Sequence, residues 1–169
     1  MKILGINAFH PDSSACIIID GKVAVAIEEE RLRRVKHWAG YPSKSIQTCL
    51  DKVNLLFDDI DCIAVNRNPN VHIAEKLQFV LKNRPSLRNI VSRIRNRKEI
   101  GNIPVLLAEQ FSSDKTAIEK KFFPVEHHVA HMASAFFTSS FEEAVVLSID
   151  GFGDFVSTMW GLGKVNHLK

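Results

Sequence analysis

The chain has 169 residues, enough for one domain or slightly more than half of a larger one. Hydrophobic residues make up 46% and charged residues 24%, which is ordinary for a globular protein and argues against a disordered chain. The net charge of +3 is too small to indicate a particular partner by itself.

The first third of the chain predicts three antiparallel strands followed by a helix and a fourth strand. Apolar runs rich in β-branched residues cover 2–7, 15–20 and 22–30, with short polar turns between them. Segment 42–55 repeats apolar residues at helical spacing, and 61–67 is a short buried strand. A helix between antiparallel strands and a further strand implies a mixed sheet with a crossover connection.

Two details of this region are also predicted. Val23, Val25 and Ile27 alternate with other residues, which favours a third strand with one well-buried face. Ser43 is a candidate N-cap for the helix of 42–55.

The cysteines and the N-terminus favour an ordinary cytoplasmic protein. Cys16, Cys49 and Cys62 lie in apolar runs without metal-type or redox-type spacing, so we expect buried thiols in a reducing compartment. The first twenty residues are interrupted by His, Pro and Asp, which is atypical of a signal peptide or a membrane span.

Residues 71–121 are mostly helical in pattern and are predicted to form a peripheral insertion broken by Pro85 and Pro104. Within it, 87–100 places apolar residues on one face and arginines around the rest. Such a segment is either a solvated amphipathic helix or a basic patch for phosphate or nucleic acid.

The last third predicts a helix over 127–139 and two strands over 143–151 and 155–165. The helix contains three histidines within five positions, His127, His128 and His131. His127 and His131 are four residues apart, which places both on one helix face and permits convergence on one ion, with His128 pointing away. By spacing alone, these residues are equally compatible with hydrogen-bonded helix histidines, and Asp150 is a third ligand only if the fold brings it close.

Two strand-end loops carry further candidate site residues. The turn after the first strand offers short polar side chains and a histidine that could act as a base near neutral pH: Asn7, His10, Asp12, Ser13 and Ser14. The strand of 143–151 ends at Asp150, followed by Gly151 and Gly153, where a backbone can approach a ligand. Each loop alone is also compatible with a plain turn. Together they have the layout of the actin-like and ribonuclease-H-like ATP folds, in which two phosphate loops face one cleft.

Segment 28–42, EEERLRRVKHWAGYP, is strongly polarised in charge, with three carboxylates followed by five basic residues. It is either a charged surface loop or a segment whose Arg31, Lys36 and His37 face a polyanionic ligand.

Taken together, these segments resemble the NodU/CmcH-type O-carbamoyltransferases. The resemblance lies in residues 3–42, in EHHVAHMASAFF and in EEAVVLSIDGFGDFVSTMWG, and is weakest across 70–121. It implies an α/β fold, actin-like and ribonuclease-H-like, with an antiparallel β1-β2-β3 meander and flanking helices. It also implies that residues 1–169 are one half of a duplicated domain related to the tRNA threonylcarbamoyl-adenosine synthases.

The resemblance implies roles for individual residues. His127 and His131 match the metal-binding pair, and His10 matches a first-loop histidine that is a candidate catalytic base. Asn7, Asp12, Lys36, Asp150, Gly151 and Gly153 match or adjoin positions that hold the nucleotide or carbamoyl-adenylate. Pro11 is expected to fix the first loop and to shift His10 relative to relatives with a shorter loop.

The implied cofactors are a divalent metal, iron in the best-understood relatives, and carbamoyl-adenylate formed from ATP and carbamoyl phosphate. The implied partners are a small-molecule hydroxyl acceptor, such as a sugar or secondary metabolite, and the second actin-like half and adenylate-forming domain, in cis or in trans. Self-association through an exposed apolar face is expected. No membrane is implied, and nucleic acid is disfavoured.

Three other functions remain open at this point. They are a tRNA threonylcarbamoyl-type transferase, a catalytically incomplete nucleotide- or metal-binding remnant, and a purely structural interaction module. The basic stretch 87–98 is the feature that favours nucleic acid.

Overall fold

The computed structural model describes residues 1–83, 98–154 and 156–169, which form two compact units. Unit 1 contains Met1–Val65 and the described part of Ser86–Pro124, and unit 2 contains the described part of Asn66–Pro85 together with Val125–Lys169. Most of the predicted basic helix over 87–100 lies outside the described residues. No helix among the described residues is long and apolar enough to cross a bilayer.

Unit 1 is built on a five-stranded mixed sheet in the order β3-β2-β1-β4-β5. The strands are β1 (Lys2–Asn7), β2 (Ser14–Ile19), β3 (Lys22–Glu28), β4 (Cys62–Val65) and β5 (Phe122–Pro124). β1, β2 and β3 pair antiparallel, whereas β4 pairs parallel with both β1 and β5. This is the predicted α/β architecture, a mixed sheet with an antiparallel β1-β2-β3 meander and flanking helices.

α-Helices and a short 3-10 helix accompany this sheet in the described part of unit 1. Those described over their full length are α1 (Glu29–Arg33), α2 (Ser43–Lys52), the 3-10 turn Phe57–Asp59, α4 (Ile103–Phe111) and α5 (Lys115–Lys120). Ile46 and Leu50 of α2 pack with Leu4 and Ile17 of the sheet in one apolar core.

Residues 103–120 were predicted to be peripheral, and this prediction is wrong. Ile103, Leu107 and Ile118 are almost completely buried in the core of unit 1. Their helices lead into β5, which pairs parallel with β4 and so needs a crossover connection, usually a helical one.

Two predictions about the first half need correction. Val23 is 54% exposed because β3 lies at the edge of the sheet, so its predicted buried face is only half-covered. Ser43 is the first residue of α2 rather than its N-cap. The N–H groups of the second and third residues of α2, Lys44 and Ser45, donate to the carboxylate of Glu29.

Unit 2 packs one helix on a three-stranded antiparallel sheet. Its elements are α3 (Ile73–Asn83), α6 (His127–Phe136), β6 (Glu143–Gly153), β7 (Val156–Lys164) and β8 (His167–Leu168), with the sheet order β6-β7-β8. Met132 and Phe136 of α6 pack on Val146 of β6 to form the small core of this unit. The side chain of Glu126 caps α6 by accepting from the N–H of Val129 at 2.7 Å.

Candidate functional site

Helix α6 brings two of its three histidines together, as their spacing predicts. His127 and His131 share one helix face, and their Nε2 atoms are 3.1 Å apart. His127 is almost completely buried, whereas the side chain of His131 is about half-exposed. The pair therefore points its ring nitrogens at one place that solvent can reach.

His128 points away from this pair and has a different role. It is completely buried, with Nδ1 at 2.8 Å from the hydroxyl of Ser148 and Nε2 at 2.9 Å from the carbonyl of Val156. These two contacts tie α6 to both β6 and β7. His128 thus fixes the helix that carries the other two histidines.

Asp150 joins the two histidines and completes a group of three donors. Its Oδ2 lies 2.7 Å from Nε2 of His127 and 3.8 Å from Nε2 of His131. The ligand atoms of the three residues all lie within 4.8 Å of one another, and we call this group the triad. Asp150 was matched to the nucleotide by resemblance, and the structure places it against His127 and His131.

An irregularity in β6 accompanies the position of Asp150. β6 and β7 pair regularly up to Ile149 and Thr158, and the register then shifts before Gly153 pairs with Val156. Irregular pairing, such as a β-bulge, can re-aim side chains near functional sites. β6 includes Asp150 and Gly151, as predicted, and continues to Gly153, beyond the predicted strand of 143–151.

The electrostatics of the triad favour an ionised carboxylate. The hydrogen bond with His127 and the backbone N–H of Gly151 hold the pKa of Asp150 below its ordinary value. The N–H of Gly151 donates to Oδ1 of Asp150 at 2.6 Å, so this amide orients the triad. Two neutral imidazoles and one carboxylate would give a bound divalent ion a residual charge of +1.

A small open cavity lies beside the triad. It has a volume of about 250 Å³ and is lined by His131, Leu147, Ser148, Ile149 and Asp150. Two triad residues therefore border a space into which a small molecule or further ligands could enter.

Two residues that support the triad were not predicted from the sequence. Ser148 accepts or donates at Nδ1 of His128, and the carboxylate of Asp154 accepts from the backbone N–H of His127 at 3.1 Å. Asp154 also accepts from the N–H of Asn68, which precedes α3. Their roles depend on contacts between elements, for which the sequence carries no local pattern.

The first-loop candidates form a separate cluster in unit 1. The amide of Asn7 donates to the carbonyl of Asp12 at 3.0 Å, and Oδ1 of Asp12 lies 2.8 Å from Nδ1 of His37. Nδ1 of His10 lies 3.0 Å from the carbonyl of Pro11. Lys36 is exposed on the neighbouring loop. Because this loop and the triad belong to different units, their expected meeting at one cleft stays a prediction.

The polarised segment 28–42 is not a simple charged loop. Residues Glu29–Arg33 form α1, and Glu29 is completely buried with its carboxylate 2.6 Å from Nε of Arg33. The guanidinium of Arg33 stacks on the ring of Trp38 at 4.4 Å. Lys36 and His37 remain exposed, so the segment divides into a structural half and an exposed half.

Comparison with known proteins assigns this chain to a family. Residues 2–169 match the family described as carbamoyltransferase N-terminus. The nodulation protein NolNO of Sinorhizobium fredii is 34% identical over 163 residues, which are 96% of this chain and 23% of that protein. The uncharacterized protein sll1178 of Synechocystis is 32% identical over 171 residues, 98% of this chain and 28% of that protein. The solved structure of YeaZ from Pseudomonas aeruginosa aligns with a TM-score of 0.48 at 14% identity, covering 99% of this chain and 64% of that one.

This chain therefore spans about a quarter of the length of the curated relatives it matches. The match is continuous through both units and includes the triad and the first loop. The chain belongs to the carbamoyltransferase N-terminus family.

Proposed function

We propose that this chain is the N-terminal part of an O-carbamoyltransferase, in which His127, His131 and Asp150 hold a divalent metal, iron by resemblance. The observation that carries this proposal is the convergence of the three donor atoms within 4.8 Å of one another. Membership of the carbamoyltransferase N-terminus family supplies the reaction class.

The chemistry of the triad fits such an ion. Two imidazoles and one carboxylate form a donor set that would suit Fe(II) and related divalent ions. Without an ion, Nε2 of His127 stands within 3.1 Å of both His131 and Asp150, so one ring nitrogen serves two neighbours. Three ligand atoms within 4.8 Å of one another form an arrangement that a divalent cation could bind.

When bound, the ion would polarise the phosphate or carbonyl of a carbamoyl-adenylate as a Lewis acid. The contributions of this chain are then positional. His127 and His131 hold the ion from one rigid helix, His128 fixes that helix, and Asp150 balances charge. The reaction joins the oxygen of an acceptor hydroxyl to the carbamoyl carbon, breaks the bond from that carbon to the phosphate oxygen, and releases AMP and the hydroxyl proton.

The remaining parts of the proposal concern what acts with this chain. The acceptor is a hydroxyl-bearing small molecule, and carbamoyl-adenylate is made from ATP and carbamoyl phosphate by polypeptide outside the matched region. Asn7, Asp12 and Lys36 would contact the nucleotide. The supporting fact is that the relatives are about four times longer than the region they share with this chain.

The experiment supplies preformed carbamoyl-adenylate and a sugar-hydroxyl acceptor to the purified chain with Fe(II), and measures AMP release and bound iron. We expect iron binding close to one equivalent and metal-dependent AMP release. When carbamoyl phosphate and ATP replace carbamoyl-adenylate, we expect no AMP release. His131→Ala and Asp150→Ala should each weaken iron binding more than about 10-fold.

The matched control is His167→Ala, because His167 is an exposed histidine on β8. It should bind iron and release AMP like the wild type. Wild-type chain that binds no iron, or that does not accelerate AMP release, contradicts the proposed function.

A further inference from the structure

Two loops of unit 1 are fastened together by backbone hydrogen bonds. The N–H of Ser13 donates to the carbonyl of Trp38 at 3.0 Å, and the N–H of Phe9 donates to the carbonyl of Gly40 at 3.2 Å. The buried hydroxyl of Ser13 reinforces this by donating to Gly40 at 2.8 Å. The first loop, residues 8–13, is therefore held in register with the loop of residues 34–41.

This register brings Asp12 and His37 into direct contact. Nδ1 of His37 lies 2.8 Å from Oδ1 of Asp12, and the backbone N–H of His37 donates to Oε2 of Glu30 at 3.0 Å. The side chains are 75% exposed for His37 and 50% exposed for Asp12. His37 is thus a largely exposed imidazole whose Nδ1 is held by a carboxylate.

The backbone conformation at both residues is unusual. Asp12 has a φ of 65° and His37 a φ of 53°, in the left-handed region that non-glycine residues rarely adopt. Such conformations persist only where surrounding contacts impose them. Here the inter-loop hydrogen bonds hold both residues of the pair in place.

A carboxylate on Nδ1 leaves Nε2 as the proton acceptor and stabilises the imidazolium that forms when the proton arrives. The contact of Nδ1 of His37 with the carboxylate of Asp12 has this arrangement.

We propose that His37, oriented by Asp12, is the general base that takes the proton from the acceptor hydroxyl. This rests on the proposed carbamoyl transfer. The O–H bond of the acceptor breaks and its proton passes to Nε2 of His37, while its oxygen bonds to the carbamoyl carbon and AMP leaves with the electron pair of the broken carbon–oxygen bond.

The charged groups that face His37 set the pH dependence. The contact with Asp12 raises the pKa of His37 above its ordinary value, and Glu30 and Glu28 act in the same direction. Arg31 lies against both glutamates, and Lys36 is the adjacent residue. The base works when neutral, so the rate should rise as pH increases through the raised pKa. Removing the Asp12 charge should move this rise to lower pH.

The test compares His37→Asn, Asp12→Asn and His10→Asn in the AMP-release assay, with His167→Asn as the control. Asn at position 37 can still donate a hydrogen bond to Asp12 but cannot accept a proton at neutral pH. We expect His37→Asn to reduce the rate about 100-fold or more, with carbamoyl-adenylate affinity nearly unchanged. Asp12→Asn should lower the maximal rate and shift the pH profile to lower pH. His167→Asn should match the wild type.

A parallel imidazole NMR titration of the chain measures the pKa of His37 directly, and Asp12→Asn should lower it. Full activity in His37→Asn, or loss of activity in His10→Asn alone, overturns the proposal, as does a His37 pKa that does not respond to Asp12→Asn. Absence of AMP release by the wild type instead contradicts the proposed function. A urea unfolding transition like that of the wild type in each variant shows that its lower rate does not result from misfolding.

Discussion

Glu29 carries a completely buried carboxylate that links three segments of unit 1. It accepts from Nε of Arg33 at 2.6 Å and from the N–H and hydroxyl of Ser45 at 2.7 and 2.8 Å. It also accepts from the N–H of Lys44 at 3.3 Å. The negative charge therefore sits at the N-terminus of α2, where the helix dipole favours it.

Replacing Glu29 should destabilise unit 1 strongly. Glu29→Ala removes one partner of a buried ion pair and exposes unpaired donors, so we expect a loss of about 3 kcal/mol in the free energy of unfolding. Urea unfolding at neutral pH measures this. Glu119→Ala is the control, because Glu119 is half-exposed and pairs with Lys115 at the surface, where such pairs contribute less than about 1 kcal/mol. Equal losses in both variants would show that the buried contacts contribute little.

The same residue predicts a pH dependence. Burial alone would raise the pKa of Glu29, but hydrogen bonds from Ser45, Arg33 and Lys44 outweigh burial and lower it. A carboxylate with a lowered pKa stabilises the folded state above its unfolded pKa, and this contribution is lost as pH falls through the folded value. The isosteric Glu29→Gln should therefore lose less stability than the wild type on acidification. Urea unfolding of both proteins at neutral and acidic pH measures this difference. An identical pH dependence of their free energies of unfolding would contradict the prediction.

At the scale of elements, helix α6 lies unusually close to β7. A Cβ atom built on Gly163 would come within 2.6 Å of the ring of Phe136, so this glycine permits the close approach. Since Phe136 belongs to the small core of unit 2, the same contact positions the helix that carries His127 and His131.

Gly163→Ala should therefore disturb both folding and metal binding. We expect destabilisation of about 1–3 kcal/mol from overpacking, together with weaker iron binding, because α6 must move from the sheet that carries Asp150. Gly101→Ala is the matched control, since a Cβ there meets nothing within 4 Å. Thermal unfolding and iron titration of both variants test this. Wild-type iron affinity in Gly163→Ala would show that the triad tolerates a shift of its helix.

Local patterns in the sequence predicted most elements of this fold but not their positions in the sheet. The spacing of Ile46, Cys49 and Leu50 indicated α2, and the spacing of His127 and His131 indicated a shared face. Edge position is a property of the whole sheet, so the alternation of Val23 and Val25 could not show that β3 is half-exposed.

The triad was only partly predictable for the same reason. Asp150 lies 19 residues beyond His131, and its approach depends on the irregular pairing at the end of β6 and on the packing of α6 against β6. His128 was correctly expected to point away from the pair, but its spacing gave no indication of the two contacts that hold it against β6 and β7. Helical spacing thus identifies candidate ligands, and long-range packing selects among them.

At the scale of the molecule, unit 2 exposes one face of its sheet. Side chains on the face opposite α6 are apolar and largely uncovered: Val145, Leu147, Ile149, Trp160 and Leu162. Val145 pairs with Leu162 and Leu147 with Trp160 across β6 and β7, so these residues form one continuous patch. Exposed apolar patches above a few hundred Å² are uncommon on monomeric proteins.

The isolated chain should therefore self-associate in a concentration-dependent way. Burying this patch removes apolar side chains from water, including Trp160, which is 73% exposed and is the largest of them. Leu147→Lys combined with Trp160→Lys should shift the equilibrium towards monomer, because each lysine replaces apolar area with a charge that resists burial. The matched control is Leu56→Lys in unit 1, since Leu56 is 76% exposed but lies outside the patch. Sedimentation equilibrium of the three proteins over a wide concentration range, with tryptophan emission as a second measurement, decides the matter. A wild-type chain that stays monomeric at every concentration, or a Leu56→Lys control that dissociates as fully as the double variant, would show that this sheet face does not drive association.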